Sequence, residues 1–203
     1  MISVSYEGWM KAFFLFLLIP WLVYAQPPWE PLKAKVIQAD LTAGRGEQKR
    51  LAKEALKMAE DCLAKNVGEI GCLYYRAQAL GLSNKSFFRY AGRLRQMFAD
   101  WEAVSKADPS FDYGGPYRML AEVYMELPKH FGPKDLRQDL NKSIKLLKKA
   151  IKFSDYPTNW FDLAEAYAML DQREASQKAM EKAKSVVSQW RTHPYYLTWQ
   201  GKK

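Results

Sequence analysis

The chain predicts an all-α fold of antiparallel helix pairs stacked side by side. Residues 160–183, WFDLAEAYAMLDQREASQKAMEKA, alternate bulky and small side chains in the pattern of two short helices that approach closely. The same alternation recurs upstream, in phase with the first. Strand signals are almost absent, since no segment alternates apolar and polar residues between turn residues for long.

Along the chain, residues 33–43 read as an opening helix. Residues 50–65 (RLAKEALKMAEDCLAK) form a strongly amphipathic one, with Leu51, Ala55, Leu56, Ala59 and Leu63 on one stripe. Residues 73–80 (LYYRAQAL) place small Ala77 at a tight position, and Gly81 follows. Residues 98–107 pair with that helix and end at Asp108-Pro109. In residues 116–126, Tyr117, Leu120, Ala121 and Tyr124 repeat the Trp160, Leu163, Ala164 and Tyr167 spacing. Ser143, Leu147 and Ala150 supply the partner helix, and Pro157 breaks the chain before the next unit. Between these two helices lie about ten residues more than a plain repeat holds, LPKHFGPKDLRQDL, an inserted loop of the kind that often carries function. After a short turn at residues 171–174, Ser176, Met180 and Ala183 complete the last pair.

This spacing, with a period of about 34 residues, is that of the tetratricopeptide repeat. The expected fold is therefore all-α: a tetratricopeptide-like helical repeat array of about three to four antiparallel helix pairs with an inserted loop. One repeat cannot bury its own apolar face, so each needs a neighbour, and the ends need caps. The aromatic segment 190–199 (WRTHPYYLTW) is expected to fold back over the last repeat, with partner binding as the alternative.

The chain has 203 residues, 48% of them hydrophobic and 26% charged, which suits one globular domain over residues 26–203. Aromatics make up 14%, a high share that fits wide gaps between helices or a ring-lined pocket. Residues 12–25 (AFFLFLLIPWLVYA) are one apolar run behind Lys11, long enough for a signal-peptide core and short for a membrane span. We expect residues 1–25 to be a signal peptide cleaved after Ala25, which delivers the protein to the periplasm. An uncleaved leader acting as an anchor is the alternative, and Met10 is a second candidate start. No cysteine lies near the cleavage point, so a lipoprotein leader is not expected.

Cys62 and Cys72 are the only cysteines, at the end of one predicted helix and the start of the next. Antiparallel helices bring such positions together, which favours a disulfide over two buried thiols, and an oxidising compartment preserves it. Two cysteines without nearby histidines make no zinc site. The net charge of +9 survives loss of the leader, because Glu7 and Lys11 cancel. Its densest run, residues 142–152, reads as a solvated helix face, with attraction to anionic lipid or acidic ligands as the sharper alternative. Nucleic acid is not an expected partner.

No catalytic motif is present. His130 and His193 are far apart, there is no nucleophile elbow or phosphate loop, and no metal or cofactor is expected. Carboxylates such as Glu122 and Glu165 have the freedom to meet in space without leaving a motif. First-helix positions not needed for packing are Tyr74, Gln78, Arg118, Glu122, Met125, Phe161 and Glu165, the expected ligand or partner groove. Arg118 and Glu122, four apart, read by default as a surface ion pair. Arg118 is the groove residue whose loss is expected to weaken binding while leaving helicity intact.

The segment 108–170 resembles the TatT components, tetratricopeptide-containing periplasmic proteins associated with TRAP transporters. The likeness rests on Asp108-Pro109, the Gly114-Gly115-Pro116-Tyr117-Arg118 turn, Leu120, Tyr124, Pro128, Gly132, Asn159, Leu163-Ala164-Glu165 and Tyr167, with LYYRAQALGL upstream. It implies an all-helical fold with a ligand-sized channel, hydrophobic solutes, and a periplasmic substrate-binding protein as partner. Members are often lipid-anchored and trimeric, so the resemblance admits a homo-oligomer. Two functions follow. One is a transport accessory that binds a small apolar or amphipathic molecule. The other is a soluble envelope scaffold or adaptor that holds a peptide or protein in its concave groove with no small ligand. A closed pocket with the inserted loop over the helix ends favours the first; an open concave face favours the second.

Overall fold

In the computed structural model, residues 26–83, 90–130 and 133–202 are described. The expected leader, residues 1–25, and Gly132 lie outside them. Among the described residues the chain is all-helical with no strand, and its nine α-helices pack as antiparallel neighbours. They are α1 (Glu30–Asp40), α2 (Arg45–Lys65), α3 (Ile70–Ser83), α4 (Tyr90–Ala107), α5 (Phe111–Glu126), α6 (Leu140–Ile151), α7 (Pro157–Met169), α8 (Arg173–Val187) and α9 (Tyr196–Gly201). None is long and apolar enough to cross a membrane.

Helix ends follow the local chemistry. Pro157 opens α7, where its missing N–H costs no hydrogen bond. Asp139 caps α6 by accepting from the Lys142 amide at 2.8 Å. Between α7 and α8 the chain reverses through Asp171 at φ 57°. The Ser176 hydroxyl then donates to the Ala164 carbonyl at 2.8 Å, tying α8 to α7.

Each helix packs on the next, and α1 also meets α3 while α5 also meets α7. Odd-numbered helices therefore form an inner layer. Small residues sit where helices approach: Ala52, Ala55 and Ala59 of α2, Ala77 and Ala79 of α3, Ala121 of α5, Ala150 of α6 and Ala164 of α7 are all buried. One core fills the space among α1 to α5, around Tyr74, Leu94, Trp101 and Leu120. A second fills α5 to α8, around Met125, Leu147 and Leu163. Helix α5 contributes to both.

The inserted loop does not fold over the inner face. Leu136 plugs it into the first core. The Gln138 side chain donates to the Met125 carbonyl at 2.7 Å, so the loop is pinned along the end of α5. The C-terminal segment instead crosses the inner layer. Trp199 is buried against Tyr156, Phe161, Ala183 and Val187, and the Tyr195 hydroxyl donates to Asp40 Oδ2 of α1 at 2.6 Å, 155 residues away in sequence.

Cys62 and Cys72 are joined in a disulfide across the α2–α3 turn, with Cα atoms 6.2 Å apart. Closing a loop this short stabilises by about 2–3 kcal/mol. The double variant Cys62→Ala/Cys72→Ala is expected to lose about that much in urea denaturation and to become insensitive to reductant. An unchanged midpoint contradicts this.

Candidate functional site

Helices α1, α3, α4, α5 and α7 and the C-terminal segment line a cavity of about 730 Å³ that is partly open to solvent. Apolar walls come from Ile37 of α1, Leu80 and Leu82 of α3, Leu94, Met97 and Trp101 of α4, and Met119 and Val123 of α5. Tyr156, at the α7 start, closes one side together with His193, Tyr195 and Trp199. Those rings pack edge-to-face and stacked: Tyr156 lies 5.2 Å from Trp199, and His193 stacks on Trp199 at 4.9 Å. Burial holds the His193 imidazole below its ordinary value, so it is neutral at pH 7.

At the junction of α3, α5 and α7 lies Arg118, whose side chain is 6% exposed. Its Nη2 donates to Asp112 Oδ2 at 2.9 Å and to the Tyr74 hydroxyl at 3.1 Å. Its Nη1 donates to Asn159 Oδ1 at 3.2 Å and to the Asp112 carbonyl at 3.3 Å. Tyr74 in turn donates to Asp112 Oδ2 at 2.7 Å, and the guanidinium sits 4.8 Å from the Tyr156 ring centre. Burial alone would lower Arg118, but Tyr74, Asp112, Tyr156 and Glu122 together outweigh it and keep it charged.

This junction depends on an unusual backbone. Asp112, Tyr113 and Gly114 take φ of 47°, 64° and 79° in succession, breaking α5 near its start. Two of them are not glycine, so the turn carries strain held by its hydrogen bonds. Asn159 Nδ2 donates to the Tyr113 carbonyl at 3.0 Å and fixes that turn from α7. A Cβ on Gly114 would come within 2.7 Å of the Ala150 carbonyl oxygen, and one on Gly115 within 2.2 Å of the Tyr74 hydroxyl. The glycine pair is therefore what lets α5 approach α6 and α3 here.

Beside Arg118, the Glu122 and Asp162 carboxyls face each other across α5 and α7, near enough for each to act on the other. Arg118 Nε lies 4.0 Å from Glu122 Oε1. Burial, reinforced by Asp162, pushes the Glu122 carboxyl well up; burial pushes Asp162 up to about 6. Asp162 is 6% exposed, and its Oδ2 is buried without a hydrogen-bond donor.

Of the groove residues expected from sequence, Gln78, Arg118 and Glu122 line the cavity. Tyr74, Met125 and Phe161 are buried in the cores instead. Glu165 is exposed and outside the cavity lining. Glu122 meets Asp162, not Glu165, and Arg118 belongs to a buried network rather than a surface pair. The positions missed, Tyr75, Met119 and Asp162, each follow directly on Tyr74, Arg118 and Phe161. At Tyr74 and Phe161 the cavity-facing position lies one residue further on, about 100° of helix rotation.

No protein-family model matches the chain, and no curated protein matches it.

The acid pair sets a pH dependence. A carboxyl raised from 3.8 to about 6 holds its proton more tightly in the folded state. Its contribution to stability is full below the unfolded value and is lost as pH rises through about 6. Asp162→Asn is therefore expected to stabilise the protein at pH 7.5 by on the order of 1–3 kcal/mol, with the gain gone near pH 3.5. Thermal melts at both pH values check this; a gain of equal size at both contradicts it.

Proposed function

We propose that this chain is an exported, non-catalytic tetratricopeptide-like protein that holds a small apolar or amphipathic molecule in its inner cavity. The observation that carries the reading is the cavity itself, walled on several sides and partly open to solvent. Its volume of about 730 Å³ falls in the range of small-molecule sites, about 300–1,000 Å³. Its walls mix apolar side chains with polar and charged ones, among them Gln78, Arg118, Glu122 and Asp162.

The resemblance to TatT components supports the same reading and supplies the proposed context. After cleavage at Ala25 the protein would work in the periplasm, where the Cys62–Cys72 link persists. There it would pass its ligand to or from a substrate-binding protein of a TRAP transporter. Helices α3, α5 and α7, read from the sequence as first helices, line the cavity together with α1 and α4. The scaffold alternative needs an open groove for an extended peptide, and the Tyr195–Asp40 contact spans the space such a peptide would occupy.

Native mass spectrometry of protein purified from the periplasm tests the reading. A mass excess of a few hundred daltons, lost on denaturation, is expected. A bare mass in every oligomeric form would favour the peptide-binding scaffold.

A further inference from the structure

The cavity lining carries an unequal set of charges. Its carboxyls are Asp40, Asp112, Glu122, Glu126 and Asp162, and its permanent cations are Lys33, Arg93, Arg118 and Lys202. Arg118 is committed to Asp112 at 2.9 Å, and Asp40 accepts from Tyr195. Lys202 of the C-terminal segment sits 5.1 Å from the Phe161 ring centre and acts on Asp162 through space, as does Glu165 from the outer side of α7. His193, the remaining titratable group there, is neutral at pH 7. Of these carboxyls Asp162 alone is buried.

Burial favours the protonated form of both Glu122 and Asp162. Asp162 Oδ2 is buried and accepts no hydrogen bond from a protein N–H or hydroxyl. The accessible third of the Glu122 side chain faces the same space. What the site lacks is a donor to Asp162 Oδ2, at the edge of the cavity.

We propose that the cavity takes a primary amine on an apolar body, whose ammonium donates to the Glu122 and Asp162 carboxylates that line it side by side. The inference rests on the reading of the cavity as a ligand site. The amine's N–H bonds to ionised carboxylates are of the strong, charge-assisted kind. Its alkyl body lies against Met97, Trp101 and Met119. Binding conserves charge: one ammonium enters and one proton leaves to solvent. A fatty carboxylate would instead add a sixth anion beside the carboxyl pair, and an alcohol would supply the donor without the charge.

Isothermal titration of the exported, purified protein with n-octylamine, n-octanol and octanoate tests this, run at pH 7.5 and 5.0 in buffers of different ionisation enthalpy. Octylamine is expected to bind at least tenfold more tightly than the other two at pH 7.5 and to release about one proton. Because about one proton leaves per amine bound, its affinity should fall at least about 300-fold between pH 7.5 and pH 5.0. Asp162→Asn, checked for folding by thermal melting, should erase the preference for amine over alcohol. Octanol or octanoate binding as tightly as octylamine, or amine binding without proton release, overturns the amine assignment and leaves the apolar-ligand reading standing. Failure of all three to bind overturns both.

Discussion

The inner architecture depends on one buried guanidinium. Arg118 is the point where α3, α5 and α7 are tied, through Tyr74, Asp112 and Asn159 respectively. A planar fork with five donors suits that junction, because it bonds in several directions while remaining charged. Its charge in turn makes the buried Asp112 carboxylate tolerable and holds the left-handed turn at residues 112–114. Without that turn the regular part of α5 would start in a different direction. The cavity walls carried by Met119, Glu122 and Val123 would move with it.

The cavity is open on one side of this junction until the C-terminal segment crosses it. The rings of Tyr156, His193 and Trp199 form a packed wedge, and Tyr195 reaches α1. An array of stacked helices thus gains a further wall for its partly open interior from a short tail with one terminal helix. The strained turn, the coupled carboxyls and an unpaired buried oxygen all lie around this interior. Such costs persist where the rest of the fold is strong enough to hold them, and they gather at binding sites more often than elsewhere.

Much of the fold was legible because its signals are local. Ala77, Ala121 and Ala164 mark where helices touch, and the proline at 157 marks where one begins. The cysteine spacing, Cys62 to Cys72, announced the α2–α3 turn. The site was legible only in part, for a geometric reason. The projection selected Gln78, Arg118 and Glu122, which line the cavity, and also Tyr74 and Phe161, which are buried in the cores while their neighbours Tyr75 and Asp162 line the cavity. An error of one residue is small along the sequence but turns the helix by about 100°. Equivalence between units also failed locally. Glu122 lines the cavity, yet its counterpart Glu165 is exposed, because α7 presents Asp162 and Thr158 instead. The contact from Tyr195 to Asp40 leaves no periodic trace at all, since it joins the two ends of the chain.

The central claim, that one guanidinium fork organises the cavity-facing helices, is tested most directly by urea denaturation of Arg118→Lys. Lysine keeps the charge but cannot serve Asp112, Tyr74 and Asn159 together. The account predicts a loss of about 3–5 kcal/mol, the scale of a broken buried charge pair. A loss under about 1 kcal/mol would show that charge alone suffices there and would contradict it.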